Sequence, residues 1–131
     1  MIDLESYVAT ELARIYGDLD YTRYYNAVDM SIGAMEILQE DDVSTISKAR
    51  CLIIAMEMQI SLSNFYKDDI YDIRMREWPS IDYYHAKERM KRLEDLVDCT
   101  YTNWKILYDA YLNLASQDPE VPRLTMNAMW R

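Results

Sequence analysis

The sequence predicts an all-α fold, and three observations predict it. Only 2 of the 131 residues are glycine and 3 are proline, too few for the tight turns that a β-sandwich or barrel of this length needs. Half of the chain is apolar, enough for one well-cored domain. Those apolar residues recur at three- and four-residue spacing, the period of an amphipathic helix. The expected architecture is a small bundle of about four helices over residues 1–116, ending in one long helix. An extended C-terminal tail over 117–131 is expected after it.

Segment 4–16 reads as the first helix. Asp3 is placed to cap it, Leu4, Val8, Leu12 and Ile15 share a face with Tyr7 and Tyr16 beside it, and Gly17 suits a left-handed stop. Asp18 or Asp20 starts a second helix over about 21–39, where Tyr21, Tyr24, Tyr25, Val28, Ile32, Met35 and Leu38 form a stripe. Gly33 interrupts that helix at a cost of about 1 kcal/mol relative to alanine, and it permits close approach of another helix. Glu40-Asp41-Asp42 forms an acidic connection. Asp42 or Ser44 caps a third helix over about 45–66. Its run Cys51-Leu52-Ile53-Ile54-Ala55-Met56 is apolar on nearly every face, which predicts the most buried element. Residues 67–80 admit either a fraying helix end or a short separate helix. Trp78-Pro79 marks a boundary there, and Ser80 can cap the start of the last helix.

The last helix has the clearest period. Tyr83, Met90, Val97, Trp104 and Tyr111 are spaced by seven, with Ala86, Leu93, Thr100, Leu107 and Leu114 at the companion positions. Continuous from 81 to 115, it would be about 52 Å long. A compact chain of this size has a radius of gyration of only about 14 Å. Part of the helix is therefore expected to project and to be covered by another subunit. A kink or a break is expected within Cys99-Thr100-Tyr101-Thr102-Asn103, a run of weaker helix formers. Pro119 and Pro122 then stop the helix and favour extended chain. Leu124, Met126, Met129 and Trp130 come next, bracketed by Arg123 and Arg131. This is either a hook for a partner's groove or a segment that folds back onto its own subunit. The expected protein interface is Tyr83, Met90, Val97, Trp104 and Tyr111, together with Leu124, Met126, Met129 and Trp130.

The net charge is −9, which argues against nonspecific binding to nucleic acid or anionic membranes. Residues 1–73 carry 5 basic and 14 acidic groups, residues 74–92 carry 6 and 3, and residues 93–131 carry 3 and 6. One basic segment thus sits in an acidic molecule. Its surface is either an ordinary solvated one, or an acidic face that meets a basic partner or lets DNA pass without sticking. Cys51 and Cys99 form no CxxC or Cys/His cluster, and read as small buried hydrophobes. The start of the chain lacks the features of a signal peptide, and the run 51–56 is far short of a membrane span. A soluble protein in a reducing cytoplasm is the expectation.

Catalytic chemistry is largely missing. The single histidine, His85, lies about 21 Å from Cys99 along a continuous helix, too far to serve as its base. No Glu-x-x-His occurs, so a di-iron bundle is not expected. Glu36 with Glu40, and Glu94 with Asp98, have a spacing that could hold magnesium for a helical hydrolase, but such pairs are common on solvated helices. Glu57, between Met56 and Met58, is expected to turn to solvent or to pair with a nearby basic residue, the other reading being a catalytic carboxylate of raised pKa. The expectation is no enzyme, with no catalytic, cofactor-binding or metal residue. The 12 tyrosines and 3 tryptophans suit core edges or interfaces.

Short helices, one long helix, an acidic body and an aromatic tail give an outline that resembles small all-helical tailed-phage connectors, the head–tail adaptor and head-completion proteins. The resemblance is one of architecture and carries no motif. It implies a ring-forming subunit that contacts its own copies and a portal, with host cytoplasm and then the virion as its location. It gives the acidic lumen a use, letting DNA slide, and the tail a use, docking. The other expectation is a small acidic inhibitor that occupies a basic nucleic-acid channel of a host defence complex.

Overall fold

A computed structural model of the chain describes residues 22–77 and 83–124. The expected helix 4–16, the boundary at Trp78-Pro79 and residues 125–131 lie outside these. Three α-helices are described: α1 (Thr22–Ile37), α2 (Thr45–Asp72) and α3 (Tyr83–Gln117), with a π-helical turn at Ile73–Glu77 after α2. No strand occurs among the described residues. The all-helical expectation is met, and the three helices described are the expected second, third and last, the first lying outside the described residues.

Local chemistry sets the ends. After α1, the Gln39 and Glu40 amides bond back to the Glu36 and Ile37 carbonyls at 3.0 and 3.1 Å, and the chain turns at Asp41 and Asp42. Ser44, not Asp42, caps α2: its extended backbone lets Oγ accept from the Ser47 amide at 3.1 Å. Residues 67–72 extend α2 rather than fraying or forming a separate helix.

α2 and α3 form an antiparallel pair, and α1 packs mainly against α2. α2 buries one face, including Leu52, Ala55, Met56 and Leu62. The run 51–56 is not buried all round, because Ile54 stays 47% exposed beside exposed Arg50 and Glu57. Among the described residues only α1 and α3 cover it, so one side remains open. α3 runs without a break for 35 residues. The expected break is absent: weak propensity costs only tenths of a kcal/mol per residue, and burial of Thr100, Asn103 and Trp104 outweighs it, while the Thr100 and Thr102 hydroxyls bond the Val97 and Asp98 carbonyls at 2.6 and 3.1 Å. Nor is the helix left to project: buried residues run from Ala86 to Ala115, and α2, about 42 Å long, lies along it.

The core has two apolar clusters. One gathers Val28, Leu62, Tyr66, Met90, Leu93 and Leu96; the other gathers Ala34, Leu52, Met56, Trp104, Leu107 and Tyr111. Buried polar residues lie where they meet: Ser31 on α1, Gln59 and Ser63 on α2, Thr100 and Asn103 on α3. Gln59 Nε2 donates to Ser31 Oγ at 3.0 Å and to the Ala27 carbonyl at 3.3 Å, while Ser31 Oγ donates to the same carbonyl at 2.8 Å. A slip of one turn would set the Gln59 amide against apolar side chains, so this pair holds the register of α1 on α2.

Candidate protein-interaction surface

The residues expected at an interface fall into three groups. Met90, Trp104 and Tyr111 are buried within their own chain, at 6%, 0% and 0% exposure. These three belong to the chain's own core, where α2 and the returning tail cover that face of α3. Val97 is half-buried against the first cluster, and Leu124 against the second. The Tyr83 side chain, Met126, Met129 and Trp130 lie outside the described residues.

Trp104 is held by its neighbours on α3. It stacks on Tyr108 with centroids 5.0 Å apart and planes at 8°, and on Tyr101 at 5.9 Å. Lys105 Nζ bonds Asp109 at 2.8 Å and lies 5.4 Å from the Tyr108 ring centroid. The tyrosine hydroxyls then catch the chain as it returns. Tyr108 donates to the Leu124 carbonyl at 2.7 Å, and Tyr111 donates to the Pro122 carbonyl. The return itself is an Asp118 turn, with that carboxylate accepting from the Glu120 amide at 2.9 Å and that carbonyl accepting from the Val121 amide at 3.1 Å. Val121 is 2% exposed. Up to Leu124, therefore, the tail packs on its own subunit. Spacing alone could not show this, because each hydroxyl bonds a residue 16 or 11 positions away.

The open surface lies on the other side of α2. Asn26, Met58, Ser61 and Leu62 line one depression of about 180 Å³ between α1 and α2. On α1 the face of Asn26 continues one turn at a time to Met30, Gly33 and Ile37. On α2 the face of Met58 and Ser61 continues to Ile54 and Phe65. Each stripe steps by four, three and four along about 17 Å of its helix, and Asn26, Met58 and Ser61 are the members that line the depression. Met30 and Ile54 are 43% and 47% exposed. A Cβ built on Gly33 meets nothing within 4 Å, so the groove is open there. Three residues beyond the stripes, on the outer edges, stand exposed Asp29 and Glu36 on α1 and exposed Glu57 and Asp68 on α2; Arg50 is the basic residue on the α2 edge. A second exposed apolar pair, Tyr71 and Met75, sits at the end of α2 and the π-helical turn, near the Arg74–Glu94 ion pair at 4.0 Å.

The groups that could do acid–base or metal chemistry are placed otherwise. Glu57 turns to solvent, and Glu36, Glu40, Glu94 and Asp98 are exposed. Among the described residues no three His, Cys, Asp or Glu gather as a metal site. Both cysteines are free and half-buried. Burial, and then the nearby Asp95 and Asp98, push the Cys99 thiol up, away from a reactive thiolate. Burial likewise pushes up the Tyr66 phenol. The Asp69 carboxyl is raised by burial first and by Asp72 second, against the pull of Arg89. His85 lies outside the described side chains. No helix among the described residues is long and apolar enough to cross a membrane. Compared with protein-family models, curated proteins and solved structures, the chain matches none.

Proposed function

We propose that this protein is a non-enzymatic assembly component working through protein–protein contacts, and that its role is that of a ring-forming subunit of a tailed-phage head–tail connector. The observation that carries the reading is the open apolar groove between α1 and α2, set in an acidic body. Exposed Met30 and Ile54 beside the depression offer apolar area that a docking partner would bury. The acidic balance serves the same role: a negative lumen repels DNA phosphates and lets the duplex slide. The partners on this reading are a portal, docked at the groove, and other copies of the chain, which close the ring on other faces, met in the host cytoplasm before the virion forms. Light scattering at physiological salt, alone and with portal rings, tests it. A closed ring of about a dozen subunits, or assembly on the portal, is expected. A monomer that ignores portals and instead binds a nuclease complex tightly would transfer the acidic surface to an inhibitor of nucleic-acid-binding defence complexes.

A further inference from the structure

We infer that the groove between α1 and α2 receives an amphipathic helix of a partner that carries lysine or arginine on both sides of its apolar stripe. This deepens the protein–protein reading above and rests on it. The groove is the depression lined by Asn26, Met58, Ser61 and Leu62 with the stripes beside it, which run about three helical turns, the reach of an i, i+4, i+7 set of anchors. Met58 and Leu62 give the depression its apolar lining, and exposed Met30 and Ile54 stand on the stripes beside it. Gly33 leaves the middle clear, so the backbone of a guest helix can approach closely.

Charge selects the guest. The edges carry Asp29, Glu36, Glu57 and Asp68 against Arg50. A helix with basic flanks meets four carboxylates, and one with acidic flanks is repelled. The chain's own segment 4–16 has the apolar stripe but is flanked by Glu5 and Glu11 against Arg14. A second copy of the whole chain brings a net charge of −9. Neither matches the edges as a basic helix does.

The test uses the full chain and two synthetic peptides of about fourteen residues with leucine at i, i+4, i+7 and i+11. One carries lysine on both flanks of the stripe, the other glutamate. By fluorescence anisotropy the lysine peptide should bind at least about tenfold more tightly, and the difference should shrink as salt is raised. The blocking variant is Gly33→Leu, which fills the groove where the fold has room. It should keep the helical dichroism of the wild type, melt no lower than the wild type because leucine is the better helix former, and lose at least about tenfold in lysine-peptide affinity. Equal binding of the two peptides, binding of neither, or full binding by Gly33→Leu overturns the assignment. So does binding that appears only when Val8→Asp and Leu12→Asp are introduced, which gives the groove to the chain's own segment. A wild-type dimer that becomes monomeric in Gly33→Leu overturns it in favour of a second copy. Ring formation and portal assembly are read separately by mass, so the assembly reading can fail while peptide binding stands, and the reverse.

Discussion

Replacing Trp104 with alanine tests whether α3 is held by its own chain. The indole is fully buried and stacked between Tyr101 and Tyr108. An aromatic side chain of this kind removes about 200 Å² from water, roughly 5 kcal/mol at 25 cal/mol per Å², and the extended-chain reference makes that an upper figure. Truncations of buried aromatics cost about 3–5 kcal/mol, and the lost stacking belongs within that range. A value of roughly 4 kcal/mol is therefore expected. With an unfolding entropy of about 2.1 cal/mol/K per residue over the whole chain, the melting temperature should fall by roughly 15 °C. Urea unfolding monitored by circular dichroism measures it, with an unchanged m-value showing that the transition stays two-state. Tyr101→Ala is the control: it lies on the same ladder but is 36% exposed, and should cost less than about 1.5 kcal/mol. A Trp104→Ala loss below about 1 kcal/mol, or a Tyr101→Ala loss as large as that of Trp104, would refute the cluster as the organiser of this end of the bundle.

Gly33→Ala should raise stability by about 0.5–1 kcal/mol in thermal unfolding, because helix propensity improves and the added Cβ meets nothing within 4 Å. The double change Tyr108→Phe and Tyr111→Phe removes both hydroxyls that hold residues 122–124; it should cost about 1–3 kcal/mol and make the chain after Asp118 far more sensitive to limited proteolysis. Asp69 has its carboxyl raised by burial and Asp72, so folding favours its protonated form, and that stabilisation is lost as pH rises through the folded-state value. Asp69→Asn should therefore raise the melting temperature at neutral pH and leave it unchanged at about pH 3, where the carboxyl is protonated in both states.

How far the sequence could be read differs from element to element. Val28, Leu52, Met56, Leu93 and Leu107 announced their helices, because a period of three to four residues is a local property and a buried face repeats it. Ser44 was legible as one of two possible caps. The choice between Ser44 and Asp42 depended on which backbone took the extended angle before Thr45. The break expected at Thr100-Tyr101-Thr102 failed for a similar reason. Weak propensity costs tenths of a kcal/mol per residue, and packing of the neighbouring Trp104 and Leu107 outweighs it.

The sequence by itself determined the helical class, the scarcity of turns, the acidic balance and the stripes that would seek cover. Each of these depends on composition or on near neighbours along the chain. Only the tertiary structure decided which stripe was covered by which element. It covered Met90, Trp104 and Tyr111 with α2 and the returning segment 118–124, although the same heptad would have served equally well between subunits. It also left Met30 and Ile54 exposed and the space at Gly33 open, although the run around Ile54 read as the deepest part of the core. A helix's period states that a face is apolar; it does not carry the identity of the element that packs on that face. That identity comes from contacts between residues far apart in the chain, such as Gln59 with Ala27 and Tyr108 with Leu124, and these exist only once the chain has folded.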